Sequence, residues 1–318
     1  MKVERRSHTA YSYDSSDVRD AILALMDEFG QPSQRFGIYF VPAEDPRSVI
    51  GRKVETEVLV REPGADDTRM LFGNNEDFGI FERSDLSEFV CCVDHESLMP
   101  VGASRLIRNS AEMGCPTFIE MSAEPSAGRG YSFEDLARRA TFSAAEPSQI
   151  VEVASIAVYP SYRKNVGHAN ASVALIASIM QRLHVSSAKS YVFMLSTLVY
   201  ESIQKMTAHY SQKFDGIGAL HYEDWPDSEL CWANVEGMKD WFRQHHPERH
   251  ETIYYGQGLE DFFFGYNGAP LWGARDPDRE YLDVRKAIDV RDSTLQSRST
   301  ANAAAPRART HDALNPET

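Results

Sequence analysis

Cysteine is scarce. Only Cys91, Cys92, Cys115 and Cys231 occur in 318 residues. None stand in CxxC spacing, so neither a disulfide framework nor a four-cysteine zinc site is expected. They read as small buried hydrophobes in a reducing compartment, and the adjacent Cys91 and Cys92 would point to opposite faces of a strand. An excess of positive charge is also missing: 33 Lys and Arg stand against 47 Asp and Glu, a formal net charge of −14. That balance argues against a protein that lives by gripping phosphate backbones, so no nucleic-acid partner is expected. A local basic pocket for a small phosphorylated molecule stays compatible with it. No apolar run approaches the roughly 20 residues that cross a bilayer, and the opening MKVERRSHTAYSYDSSD has no apolar signal core. The expectation is a cytoplasmic protein with no membrane span. No GxSxG, Ser-His-Asp order or Walker sequence appears, which leaves hydrolase and NTPase readings without support. The His245-His246-Pro-Glu-Arg-His250 run has no second cluster to complete it, so no metal is expected.

What is present is ordinary globular material, with 42% hydrophobic and 25% charged residues. Ser15-Ser16-Asp17 reads as the cap of a helix running to Phe29, stopped by Gly30. Arg35 to Val41 reads as a strand, and Val54 to Val60 fits either strand alternation or a helical turn. Phe89 to Val93 and Val101 to Ile107 flank a polar turn and predict an antiparallel hairpin. Ser132 to Arg139 reads as a helix. Ile150 to Val158 (IVEVASIAV) is the strongest strand signal in the chain, and Pro160 ends it. Ala169 to Leu183 is apolar almost all round and predicts a buried helix. Ser190 to Leu195 predicts a strand, Leu198 to Tyr210 a helix, Ile217 to Tyr222 and Leu230 to Val235 two strands, and Trp241-Phe242 a further helix. Residues 293–318 are rich in Ser, Ala, Arg and Pro and read as a disordered tail.

The segment between Val158 and the buried helix is YPSYRKNVGHA, residues 159–169. A strand that feeds a polar loop opening a helix is a natural anion site, because free N–H groups and the helix dipole converge there. Arg163 and Lys164 bring positive charge to that point, and with His168 they could contact phosphate; a solvated charged loop would look the same.

Glu152-Val-Ala-Ser-Ile-Ala-Val158, Pro160-Ser-Tyr-Arg163 and Lys164-Asn-Val-Gly167-His-Ala169 together resemble motif A of the GNAT (N-acetyltransferase) superfamily. Its pyrophosphate loop reads Q/R-x-x-G-x-G/A. Counted from Arg163, Val166 and His168 fall at the glycine positions; counted from Lys164, Gly167 and Ala169 fit, with the loop one residue longer. The resemblance implies an α/β (α+β) GNAT fold, a central mixed, mostly antiparallel sheet flanked by helices. On that reading residues 1–292 form an acyltransferase domain, with a cofactor core at about 85–235 and a C-terminal extension at about 236–292. It implies acyl-CoA (acetyl-CoA or longer) as co-substrate, and no metal. Main chain at Ile156, Ala157 and Val158 would hold the pantetheine arm. Residues Arg163, Lys164, Asn165, Val166, Gly167, His168 and Ala169 would hold the pyrophosphate.

Residues 52–158 also resemble the autoinducer-synthase branch of the same fold, through Glu57 to Glu62, the acidic Glu76-Asp77, the hairpin and Glu152. Where that branch carries arginine, this chain has Ser155 and Glu55. The resemblance therefore implies kinship to acyl-chain-using enzymes rather than a homoserine-lactone synthase.

The activity implied is N-acyl transfer from an acyl thioester to the amine of a small-molecule acceptor, by direct attack in a ternary complex. Alternatives are an N-acyl amino acid or autoinducer-type synthase fed by acyl carrier protein or long-chain acyl-CoA, and a non-catalytic acyl-CoA-binding protein. A second copy of the chain is a further candidate partner. Glu152 stands where the family places a general base; the plainer reading is a glutamate on a solvated face. Tyr200, or Ser196, would protonate the departing thiolate, although a helical tyrosine also serves simply as packing, and the family's tyrosine position could align with Ile203 instead. Arg105 could orient an acceptor carboxylate or an acyl carrier, or be a surface arginine. Phe262 to Tyr266, with Leu271 and Trp272, reads as core or subunit contact, or as a roof over an acyl channel.

Overall fold

The computed structural model describes residues 13–59, 86–110, 114–122, 130–141, 146–163, 170–186, 188–207, 210–222 and 225–265. Helix α1 (Ser15–Glu28) is capped by Asp14, whose carboxylate accepts from the Ser16 N–H at 2.8 Å. The cap is therefore one residue earlier than Ser15-Ser16-Asp17 suggests, because a carboxylate reaches the first-turn amides as well as a hydroxyl does. Gly30 ends the helix at φ +76°, a conformation in which a Cβ would be strained. Strand β1 is Phe36–Pro42 and helix α2 Val49–Leu59. The ambiguous Val54 segment is helical: Ile50, Val54 and Val58 recur every four residues and all three are buried.

The hairpin is present as β2 (Ser87–Asp94) and β3 (Met99–Arg108). A short helix α3 (Pro116–Ser122), unforeseen because it lacks the capping side chain and the charged ends that mark a short helix, precedes α4 (Phe133–Arg139), capped by Ser132 as expected. Strand β4 spans Ile150–Val158, the predicted span. Helix α5 (Ala171–Val185) opens at Asn170, whose side chain accepts from the Val173 N–H at 3.1 Å. Strand β5 (Ser190–Ser196) leads into α6 (Thr197–Met206), which stops short of the Tyr210 expected. Strands β6 (Gln212–Lys213) and β7 (Leu220–Tyr222) are brief, and β8 (Trp225–Asn234) is longer than predicted. Helix α7 (Val235–His245) ends in the histidine run, and Pro247 takes the first turn of α8 (Pro247–Tyr255), where its missing N–H costs nothing. Strand β9 (Phe262–Gly265) follows.

Among the described residues nine strands form one sheet, ordered β6-β8-β5-β4-β3-β2-β1-β9, with β7 added on β8. Neighbours are antiparallel except β4–β5 and β1–β9. The expected class, a mixed and mostly antiparallel sheet flanked by helices, is what the chain forms. Period-two alternation sorts side chains between two faces. Val90, Cys92, Val151, Val153 and Tyr191 meet α5, α7 and α8 on one face. On the other, α1 packs against Tyr39, Phe89 and Cys91, α2 against Ala103 and Ala157, and α3 and α4 against Ile107, Ile150 and Val192. Cys91 and Cys92 do face opposite ways, and all four cysteines are free and buried. Phe262 and Phe264 of β9, with Ile253 and Tyr254 of α8, belong to the main core. The aromatic strand is thus core; Tyr266, Leu271, Trp272 and the 293–318 tail lie outside the described residues.

Candidate functional site

The sheet opens at its centre. Strands β4 and β5 run parallel but pair only at Ile150–Ser190, Val151–Tyr191 and Glu152–Val192. Past that point β4 continues for six residues and β5 for four with no further pairing, so the two strands part toward their C-terminal ends. On its other edge β4 stays paired with β3, with one irregularity: Arg105 opposes Ser155 while Leu106 opposes Val153. Ala154 is the extra residue of a β-bulge, the device that re-aims a strand's groups next to functional sites.

Beyond the bulge Ile156 and Val158 pack toward α5, and Ala157 toward α2. The chain then turns: Tyr159 N–H donates to the Val101 carbonyl at 3.0 Å, and Arg163 Nε donates to the Val158 carbonyl at 2.9 Å. Lys164, Asn165, Val166, Gly167, His168 and Ala169, the pyrophosphate candidates, lie outside the described residues. Their two flanks are in place, Arg163 after the Pro160–Tyr162 turn that follows β4 and the capped start of α5.

Glu152 sits where the strands begin to part. It is 5% exposed, so the solvated-face reading does not apply. Its side chain shares a face with α3, and its Oε2 accepts from the Thr117 N–H in that helix's first turn at 2.9 Å. Burial pushes its carboxyl above the ordinary value; bonds from Thr117 and Cys115 and the charge of Arg105 only partly offset that. A buried carboxyl of raised pKa suits proton abstraction, and the same residue also anchors α3.

Ser196 ends β5 and stands at the N-cap position of α6 without a side-chain capping bond. It shares Glu152's side of the sheet by alternation, four residues beyond Val192, or about 13 Å along the strand. Tyr200 packs instead with the core on the other face. Its hydroxyl accepts from Gln204 Nε2 at 2.9 Å, and Lys213 Nζ stands 4.7 Å from its ring centre. Lys213 is in turn paired with Glu229 of β8 at 2.8 Å. Burial raises the Tyr200 phenol, and Cys231 adds to that against the opposing pull of Lys213. No hydrogen bond joins Glu152, Ser196 and Tyr200 among the described residues.

Arg105 is a correction. It is 4% exposed, not a surface arginine. Its Nε donates to Glu55 Oε1 at 3.1 Å and its Nη2 to Glu55 Oε2, and its guanidinium lies 4.7 Å over the Phe89 ring. Glu55 also accepts from the Ser155 hydroxyl. The two positions that depart from the autoinducer-synthase pattern, 55 and 155, therefore touch each other and Arg105. Sequence spacing held no sign of this contact, since a hundred residues separate Glu55 from Ser155. Among the described residues there is no group of three or more His, Cys, Asp or Glu placed to hold a metal, and no helix long and apolar enough to cross a membrane.

No protein-family model matches the chain, and no curated protein does. Solved structures do, at low identity and low structural overlap. An N-acyl amino acid synthase from uncultured soil microbes is 12% identical, covering 65% of this chain and 95% of its own, at a TM-score of 0.40. Mutant forms of the spermidine/spermine N-acetyltransferase of Vibrio cholerae are 9% identical, covering 65% and 97%, at 0.36. A CoA-dependent acyl-homoserine lactone synthase is 16% identical, covering 59% and 74%, at 0.33. Likenesses of this size carry no inference about this chain.

Proposed function

We propose that the chain is a GNAT-type N-acyltransferase that moves an acyl group from acyl-CoA to the amine of a small molecule. The observation that carries this reading is the parting of β4 and β5 beyond Glu152 and Val192, beside a bulge. A parallel pair that stops pairing offers strand-edge amides and carbonyls to an extended amide-bearing ligand, and a pantetheine arm is one. The strand runs from there into Arg163 and the N-terminus of α5, where a pyrophosphate would meet cationic and backbone donors.

In the reaction so proposed, the acceptor nitrogen attacks the thioester carbonyl, the C–N bond forms and the C–S bond breaks. Glu152 takes the proton lost by nitrogen, through water because the carboxyl is buried. The Val158 N–H polarises the carbonyl as an oxyanion donor. Tyr200 or Ser196 gives a proton to the departing sulfur; Tyr200's hydroxyl accepts from Gln204, which leaves its own hydrogen to donate. The chemistry needs no covalent enzyme intermediate.

One observation favours a second reading. Glu152 is enclosed by Thr117 and Cys115, as a residue with a purely structural task would be. A non-catalytic acyl-CoA-binding protein would keep the parted strands without turnover. Calorimetric titration with CoA, acetyl-CoA and a long-chain acyl-CoA comes first, then thiol release with a panel of amines. Micromolar binding with turnover supports the transferase. Binding without thiol release from any amine supports the second reading, and no binding to any of the three removes both. A preference for the long chain would point to an N-acyl amino acid or autoinducer-type synthase, with acyl carrier protein as the donor to try next.

A further inference from the structure

The bulge in β4 is gripped by side chains from two other elements. At Ser155 the main-chain carbonyl accepts from the Ser104 hydroxyl at 2.5 Å, and Oγ accepts from the Arg105 N–H at 3.2 Å. The same Oγ donates to Glu55 of α2, and Glu55 is clasped by the Arg105 guanidinium. All four residues are buried, Ser104 at 0% exposure, and Arg105 rests on Phe89. One small hydroxyl thus ties β4 to β3 and α2 at the position next to the unpaired Ala154.

Such a tie has a mechanical consequence. Around a bulge the ladder is locally broken, and a slip of one residue would exchange the faces of everything that follows. Here that would be Ile156, Ala157 and Val158. Apolar packing opposes such a slip in part, since Ala157 would take the place against α5 that Ile156 and Val158 fill. Hydrogen bonds to a buried ion pair resist it well, since a displaced Ser155 would leave a buried carboxylate with a lost donor.

We propose that Ser155, held by Glu55 and Arg105, is a positioning residue that fixes the bulge and so aims the β4 main chain at the acyl thioester. The assignment rests on the acyl-CoA reading of the parted strands, and it names the device that sets their geometry. Ser155 touches no reacting atom in this scheme. It acts through the backbone of residues 154–158.

The test compares Ser155→Ala, which deletes the hydroxyl and little volume, with Ser155→Thr, which retains it. Ile253→Val serves as a control for plain loss of core packing, since Ile253 lies in α8 away from the bulge. Two quantities are read: the Kd for acetyl-CoA by calorimetry, and amide hydrogen exchange along β4. Ser155→Ala should weaken acetyl-CoA binding about tenfold and speed exchange at residues 154–156 about tenfold or more. Ser155→Thr should restore binding, and Ile253→Val should leave Kd unchanged. Wild-type affinity in Ser155→Ala overturns the proposal, as does an equal loss in Ile253→Val. If the wild-type protein itself binds no acetyl-CoA, the acyl-CoA reading falls, and exchange alone decides the bulge: unchanged rates at 154–156 in Ser155→Ala then overturn the tie as well.

Discussion

Removing Arg182 should cost the fold as much as a large apolar truncation in α5. Arg182 lies in the last turn of that helix, and its side chain is 6% exposed against 7% for its partner Glu88 on β2. The pairing is two-pronged: Nε to Oε2 at 2.8 Å and Nη2 to Oε1 at 2.7 Å. The guanidinium also stands 5.3 Å from the centre of the Phe40 ring. Arg182→Met keeps much of the side-chain volume and strands Glu88 as a buried carboxylate without its counter-charge. Such single removals cost about 3–5 kcal/mol, a large share of the roughly 5–15 kcal/mol that holds a domain folded. Replacing both partners, Arg182→Met with Glu88→Leu, should cost much less than the sum of the singles, because no charge remains to be desolvated. Equilibrium urea unfolding of the four proteins, followed by tryptophan fluorescence, measures the cycle as midpoint shifts at constant slope. Two results would refute the reasoning: a cost under about 1 kcal/mol for Arg182→Met, or a double variant whose cost equals the sum of the two singles.

Three further outcomes follow from the site. Gly102 opposes Val158, and a Cβ there would stand 2.8 Å from the Ala157 carbonyl oxygen, a main-chain atom that cannot swing aside. Gly102→Ala should therefore lose about 1–3 kcal/mol and weaken acetyl-CoA binding; unchanged stability by thermal melt would count against this packing. Tyr200→Phe keeps the ring beside Lys213 and deletes only the hydroxyl, so thiol release should fall about 10²-fold or more at unaltered melting temperature, and equal turnover would pass the acid role to Ser196. Glu152 carries a folded-state pKa raised by burial above its ordinary 4.5. Its stabilising share is therefore fully present below pH 4.5 and is lost as pH climbs through the raised folded value. Glu152→Gln still accepts from the Thr117 N–H and should flatten that decline, read as urea midpoints from pH 4 upward; parallel pH curves for the two proteins would contradict the assignment.

Legibility from sequence followed range. Strand β4 was readable because nine consecutive residues carry one signal, and α5 because its apolar surface is continuous. The pieces β6 and β9 are too short to carry a period, and α3 has no cap or end charges to announce it; β9 forms against the edge that β1 offers. Arg105 misled for the same reason. An arginine within a strand has no visible counter-charge until Glu55, fifty residues earlier, arrives beside it.

Readable along the chain were most of its alternation between strand and helix, the stretch that resembles a cofactor motif, and the place of Glu152 within a central strand. Those are properties of neighbours along the chain, expressed in periods of two or about 3.6 residues. Three-dimensional packing alone makes β4 and β5 part after Glu152, makes Ala154 bulge, and closes Ser155, Glu55 and Arg105 on one another. It also set Tyr200 on the opposite face of the sheet from Glu152. Each of these depends on register between strands and on the packing of helices far apart in sequence, and no local pattern encodes either.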